Sequence, residues 1–326
     1  MNEPINLSVV VIGENEGDRL SACFQSIAKM QRPDGNIEVI YVDSNSVDHS
    51  LNVAKDFNVK VMQISEGECS PAKARNVGWK EARGNYILFL DGDTSIAPEF
   101  VIDSIDLFCD PKIAVVCGYC REIRPDASVY HKIADLDWIY PKEFSEFCGG
   151  NAIIRRDILE KIGGYDESLV AGEEPEMCRR IRERGYRISC QDKLIGYHDI
   201  DMKNFSQYWN RGIRSGYAFA EISEKYRNTV DPFWLRESRH NFLKIFVLLA
   251  VISLLIISYH KYGVFWPNYV LVLGFLVLII KSTYKARKKS DDWLACFIYG
   301  IHSHFNHIPL FIGQLKYWIS KIKLMR

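Results

Sequence analysis

At 326 residues with 48% hydrophobic side chains, the chain has material for one large α/β core plus an appendix. Lysine plus arginine equals aspartate plus glutamate at 41 each, a balance that argues against nucleic acid as a partner. The nine cysteines are odd in number and scattered, and Cys117-x-x-Cys120 lacks a companion pair, so they read as reduced, cytosolic core residues rather than a zinc site. The first residues hold neither a basic cluster nor a long apolar stretch, so no cleavable signal peptide is expected.

In chain order, Leu7–Gly13 is a β-branched apolar run that stops at Glu14-Asn15-Glu16. A helix is expected over 19–30, with Leu20, Cys23, Phe24 and Ile27 on one face. A strand over 37–42 ends in Asp43-Ser44-Asn45-Ser46-Val47-Asp48. A helix over 50–57, a strand over 59–64 and a helix over 71–83 lead to Tyr86-Ile-Leu-Phe-Leu, which runs into Asp91-Gly92-Asp93. This alternation predicts a doubly wound sheet with right-handed crossovers, whose carboxyl edge is where such sheets take ligands.

Asp91 and Asp93 stand at i, i+2 and project to the same side of extended backbone. Two close carboxylates suit a hard divalent cation carrying phosphate oxygens; the plain alternative is a solvated Asp-Gly turn. There is no glycine-rich dinucleotide fingerprint and no phosphate-loop lysine motif, which argues against dehydrogenase and ATPase chemistry.

Seven segments in order then carry a family resemblance. They are Ser8-Val-Val-Val-Ile-Gly-Glu-Asn-Glu, Val42-Asp-Ser-Asn-Ser-Val-Asp, and Ala74-Arg-Asn-Val-Gly with Ala82-Arg-Gly-Asn-Tyr-Ile. Leu90-Asp-Gly-Asp, Gly149-Gly-Asn-Ala, Gly163-Gly-Tyr-Asp-Glu-Ser and Gly172-Glu-Glu-Pro-Glu-Met-Cys-Arg-Arg complete the set. Through them residues 6–225 resemble the family 2 glycosyltransferases, of the membrane-associated bacterial type that builds surface polysaccharide or glycolipid.

The resemblance implies an α/β GT-A fold with a Rossmann-like mixed sheet and an inverting transfer from a nucleotide-diphosphate sugar donor. Asp43 matches the aspartate that meets the donor's nucleobase, and Ile12, Gly13 and Glu14 would border the same pocket. Asp91 would face the ribose and the metal, and Asp93 would ligate Mn²⁺ or Mg²⁺ bridging the diphosphate. His198, after the apolar segment 194–197, matches a late histidine ligand, although a lone histidine at a strand end is otherwise structural.

Relatives place Glu-Asp where this chain has Glu173-Glu174-Pro175-Glu176. Alignment through Met177-Cys178-Arg179-Arg180 puts Glu174 at the position of the general base, with Glu173 as the alternative. Pro175 suits the first turn of a helix running to Arg184, whose positive end would favour ionised Glu174. Without chemistry, the same acids would balance the helix dipole. Gly149, Gly150 and Asn151 suit a loop where backbone approaches sugar. Residues 205–221 mix aromatics with Arg211 and Arg214, which would bind acceptor or diphosphate or else belong to an amphipathic helix packed on the core.

At about residue 240 the character of the chain changes. Residues 242–260 and 264–281 are two apolar stretches near the lower length for spanning a bilayer, joined by His260-Lys261-Tyr262-Gly263. They predict a C-terminal membrane helical hairpin, with a buried helical pair as the alternative. Arg236, Arg239 and Lys244 precede the pair, and Lys281, Lys285, Arg287, Lys288 and Lys289 follow it. The positive-inside rule then puts both flanks and the catalytic domain on the cytoplasmic face of the inner membrane.

Residues 293–319, with His302, His304 and His307, read as a terminal amphipathic or third membrane helix. The expected organisation is therefore a catalytic domain over 1–230 and a membrane region over 231–326. The acceptor expected is lipid-linked or a polysaccharide, with membrane lipid as a further partner and no nucleic acid. A prenyl-phosphate glycosyltransferase and a catalytically silent membrane scaffold are the competing readings.

Overall fold

A computed structural model describes residues 7–64, 69–139, 142–263 and 266–324. Its first strand, β1 (Leu7–Gly13), is buried on both faces, as an unbroken apolar run requires. The crossovers that follow are α1 (Asp18–Lys29), α2 (Ser50–Lys55) and α3 (Pro71–Glu81). Val9 and Val11 pack in one core with Leu20, Cys23, Phe24 and Ile27 of α1. Val10 and Ile12 pack in the other with Ala72, Ala74 and Trp79 of α3. Each Val, Leu, Ile or Phe among them removed from water contributes about 1.5–3 kcal/mol, so both faces of the strand hold its register. α3 starts where Ser70 accepts from the Lys73 N–H at 3.2 Å and Pro71 fills the first helical position.

β2 (Ile37–Asp43), β3 (Lys60–Gln63) and β4 (Tyr86–Asp91) pair parallel with their neighbours, which gives the order β3-β2-β1-β4. Register places Gly13 beside Asp43 and Ile12 beside Asp91, so the two aspartate-bearing strand ends flank the end of β1 at one edge. Beyond β4 the parallel pattern stops. The chain adds β5 (Thr94–Ile96), β6 (Ile113–Glu122), β7 (Lys142–Ser145), β8 (Ala152–Arg155) and β9 (Arg187–His198). The order continues β8-β6-β9-β5, with β7 on β9, and β8 runs antiparallel between β4 and β6. The sheet is thus mixed, as a GT-A fold has it.

Two compact units are present. The first holds the sheet and comprises residues up to 124, 138–169 and 173–200; the second takes 125–137, 170–172 and residues from 201 onward. The sheet unit also carries α4 (Phe100–Ser104), α6 (Arg156–Ile162) and α7 (Glu173–Glu183); α5 (Val129–Asp137) belongs to the second unit.

The second unit is helical: α8 (Phe205–Tyr226), α9 (Leu235–Tyr262), α10 (Trp266–Ala286), α11 (Trp293–Phe305) and α12 (His307–Leu324). Asn204 and Gln207 close a capping box on α8. α8 and α12 approach closely enough that a Cβ on Gly216 would run into the Leu310 carbonyl, and one on Gly313 into that of Ile213. A buried amide pair joins α9 to α12: Asn241 donates to Gln314 at 2.7 Å, and Gln314 donates to the Ser238 hydroxyl at 2.8 Å. The stretch expected as one terminal helix divides at Asn306. Pro309 falls in the first turn of α12, where its missing N–H has no intrahelical partner to lose.

α9 and α10 are long and apolar enough to cross a membrane. Their large side chains face outward, Leu254 at 65% and Leu273 at 63% exposure among them. The second apolar stretch was expected from Val264, and its first two residues lie outside the described ones; α10 begins at Trp266.

Candidate active site

The crevice forms at the carboxyl ends of β1, β2 and β4. After β1, Asn15 adopts left-handed backbone (φ 58°), accepts from the Val47 N–H at 2.9 Å and donates its own N–H to Ser46 at 2.8 Å. The Ser50 hydroxyl takes the N–H groups of Glu16 and Gly17 at 3.0 and 2.9 Å. These bonds pin the loop bearing Gly13 and Glu14 to the loop after Asp43. Asp43 is buried, and its carboxylate accepts from the Tyr41 hydroxyl at 3.0 Å and the Ser46 N–H at 2.9 Å.

Asp91 is held from two sides. Its N–H donates to Asn151 Oδ1 at 3.0 Å, and Asn151 in turn donates to Thr94 at 3.2 Å. Arg75, a buried residue of α3, donates to Asp91 Oδ1 at 2.8 Å. A Cβ on Gly150 would lie 2.6 Å from Asp91 Oδ2 and 2.7 Å from Arg75 Nη2, so glycine keeps that ion pair open. Asp93 faces His198 because β5 pairs antiparallel with the end of β9, with Thr94 opposite His198. His198 Nε2 lies 3.3 Å from Asp93 Oδ1, and the Trp138 ring packs against the imidazole at a centroid distance of 4.4 Å.

Asp91, Asp93 and His198 offer ligand atoms that all lie within 4.8 Å of one another. Asp93 Oδ1 is buried, and its contact with His198 Nε2 at 3.3 Å does not have hydrogen-bond geometry. Burial, with the Asp91 charge adding, pushes the Asp93 carboxyl up to about 7; Arg19 opposes the rise. Two carboxylates and an imidazole are a donor set that Mn²⁺ accepts readily and Mg²⁺ less so, and a buried carboxylate short of partners fits a cation there. Glu16 is a third acid at this point, in an ion pair with Arg19 at 2.8 Å, and burial together with Asp93 pushes it up to about 7.

The acidic start of α7 meets the same arginine. Arg75 Nη1 lies 3.0 Å from Glu173 Oε1 and 3.0 Å from Glu174 Oε1, so one guanidinium joins the Asp91 carboxylate to both base candidates. Pro175 sits in the first turn, as expected. The expected charge state differs: burial, with Glu173 adding, pushes Glu174 up to about 7 against the opposing pull of Arg75. A helix N-terminus contributes at most about 2 kcal/mol in a partly buried geometry, which burial beside another carboxylate outweighs here.

The structure therefore gathers Ile12, Gly13, Glu14, Asp43, Gly150, Asn151, Asp91, Asp93, His198, Glu173 and Glu174 about one sheet edge; Gly149 precedes Gly150 in the same loop. Arg211 and Arg214 lie on α8 in the other unit, both exposed. Arg75 and Glu16 are the residues that sequence reasoning assigned no role. Arg75 lies within Ala74-Arg-Asn-Val-Gly, and only its burial reveals its place.

Residues 8–163 match the model of glycosyl transferase family 2, and residues 86–302 that of glycosyl transferase family group 2. Glycosyltransferase AglE of Haloferax volcanii is 24% identical over 64% of this chain and 71% of its own length. Probable glycosyltransferase YdaM of Bacillus subtilis is 25% identical over 66% of this chain, which spans only 55% of that protein. Among solved structures, the mannosyltransferase PcManGT from Pyrobaculum calidifontis, in complex with GDP-Man and Mn²⁺, superposes with a TM-score of 0.69 at 17% identity. That match covers 97% of this chain and 88% of the other. Staphylococcus aureus TarS 1-349 in complex with UDP-GlcNAc gives 0.52 at 20% identity, covering 91% and 90%.

Proposed function

Because the chain belongs to the family 2 glycosyltransferases, we propose that it is a metal-dependent, inverting enzyme that moves a sugar from a nucleotide-diphosphate donor to a lipid-linked or polysaccharide acceptor. The observation that carries the reading is the Asp91–Asp93–His198 cluster at the carboxyl edge of the sheet. These three residues would hold Mn²⁺ or Mg²⁺, which when bound neutralises charge on a departing diphosphate. PcManGT with GDP-Man and Mn²⁺, and TarS with UDP-GlcNAc, support a nucleotide-sugar donor without choosing its base.

The chain's own residues do the rest. Glu174 takes the proton of the acceptor hydroxyl, and the acceptor oxygen attacks the anomeric carbon from the face opposite the diphosphate. The bond to the diphosphate oxygen breaks, and the nucleoside diphosphate leaves with the electron pair. Arg75 orients Glu174 and Asp91 together, so that base and cation site keep one geometry. Ile12, Gly13, Glu14 and Asp43 border the donor pocket, Gly149, Gly150 and Asn151 the sugar, and Arg211 and Arg214 bind acceptor or diphosphate.

In this reading residues 1–230 are the catalytic domain and 231–326 the membrane region. The outward apolar side chains of α9 and α10 suit lipid better than water. Their basic flanks support a catalytic domain on the cytoplasmic face of the inner membrane, where nucleotide sugars are made.

The test is thermal stabilisation of the detergent-solubilised chain by UDP, GDP, CMP and their sugar conjugates, with and without Mn²⁺. Metal-dependent stabilisation by one nucleotide supports the reading and names the base. A response to none of them favours a silent scaffold.

A further inference from the structure

The helical unit holds a cavity of about 170 Å³ between α5, α8 and α11, and Arg211 is the one residue of its lining that the proposed function already uses. At about 30 Å³ per water-sized group, it has room for roughly six, close to the size of one pyranose ring. Tyr130, Asp137, Tyr208, Arg211, Ser215 and Asn306 are among the residues that line it.

Charge narrows the ligand. Arg211 opposes a cation and Asp137 opposes an anion, and both line the same small space. A neutral molecule with many hydroxyls meets both groups, able to accept from a guanidinium and donate to a carboxylate at once. Ser215 and Asn306 add groups that both donate and accept. Tyr130 and Tyr208, which both line the space, stack on each other with ring centroids 5.4 Å apart and 30° between planes, which fixes their positions and gives the cavity aromatic surface of the kind that packs against sugar C–H groups.

The polar groups are also held in place. The Tyr208 hydroxyl lies 2.7 Å from His302 Nδ1, and His302 Nε2 lies 3.7 Å from Asp137 Oδ2. The Tyr299 hydroxyl donates to Asp137 Oδ1 at 2.8 Å. Lys289 fixes the end of α5 by donating to the Leu136 carbonyl at 2.7 Å. Side chains bonded in this way arrive at a ligand already oriented, which lowers the entropy lost on binding.

From this we infer that the helical unit contains a binding site for one neutral pyranose. Naming that ring as part of the acceptor rests on the transfer reaction proposed above; binding itself does not.

The experiment uses the full chain in a lipid nanodisc, without donor or metal, and reads saturation-transfer NMR from a panel of methyl pyranosides, with inorganic phosphate as the anionic comparison. A saturable signal from one or more glycosides is expected. Asp137→Asn should weaken it by at least about tenfold, as loss of a hydrogen bond to a charged group does. Ala134→Met, which fills the cavity from α5 without touching a charge, should remove it. Mn²⁺-dependent nucleotide binding, measured separately by calorimetry, should be unchanged in both variants. The inference is overturned if no glycoside binds, if phosphate saturates instead, or if glycoside binding survives unchanged in both variants. Loss of nucleotide binding in the unmodified chain would instead count against the transfer reaction.

Discussion

Arg75 and Asp91 form the ion pair on which the candidate active site turns: a fully buried guanidinium donates at 2.8 Å to the first aspartate of the Asp91-Gly92-Asp93 turn. Its other nitrogen faces Glu173 and Glu174. Three carboxylates thus depend on one cation, whose planar fork reaches two directions at once.

Replacing Arg75 with methionine should be severe. Breaking a buried pair while its partners remain costs about 3–5 kcal/mol, because the carboxylates are left uncompensated. Arg75→Lys keeps the charge but loses the fork, so it should fold better yet still lose most turnover. Thermal melts alongside kcat for the two variants check this. Equal activity of Arg75→Lys and the unmodified chain would remove the bridging role.

Asp93→Asn should separate stability from function. The carboxylate is buried next to Asp91 and pushed up to about 7, so the neutral amide relieves repulsion. The variant without metal should melt no lower than the parent, while its stabilisation by Mn²⁺ and its metal-stimulated turnover disappear. Full activity in Asp93→Asn would refute the cation site as assigned.

Glu174→Gln should retain donor binding and lose transfer by about 10²–10⁴-fold, the usual contribution of a general base. In the unmodified chain kcat/KM should fall as pH drops through about 7, since only ionised Glu174 accepts the acceptor proton. If Glu173→Gln is the inactive variant and Glu174→Gln is not, the base is Glu173.

The parts of this arrangement legible in the sequence are those set by local pattern. β1, β2, β4 and α1 follow from apolar runs and helical spacing, and Asp91 and Asp93 stand out at the end of β4, although Gly92 and Asp93 form a turn there rather than the extended backbone that the i, i+2 argument assumes. What was not legible depends on distant register or burial. The pairing of β5 with β9 that brings His198 to Asp93 has no local signal. Arg75 looks like any polar residue of a short helix until α3 is seen to turn it inward, and Glu16 looks like a loop acid. The upward push on Glu174 was not legible for the same reason: the dipole is readable from sequence, and burial is not.

The same acids set a pH dependence of stability. Glu16, Asp93 and Glu174 each rise from ordinary carboxylate values to about 7 on folding. A carboxyl with a higher pKa in the folded state binds more protons there than in the unfolded chain, so stability falls as pH rises. The loss should run from the ordinary carboxylate range up to about pH 7 and level off above it. A divalent cation at Asp91, Asp93 and His198 binds the deprotonated forms, so its stabilising effect should grow over the same window. Melting temperatures from pH 5 to 8 with EDTA should therefore decline, and the difference made by added Mn²⁺ should widen. A cation effect independent of pH across that range would mean that these carboxylates are already ionised, or that the cation binds elsewhere.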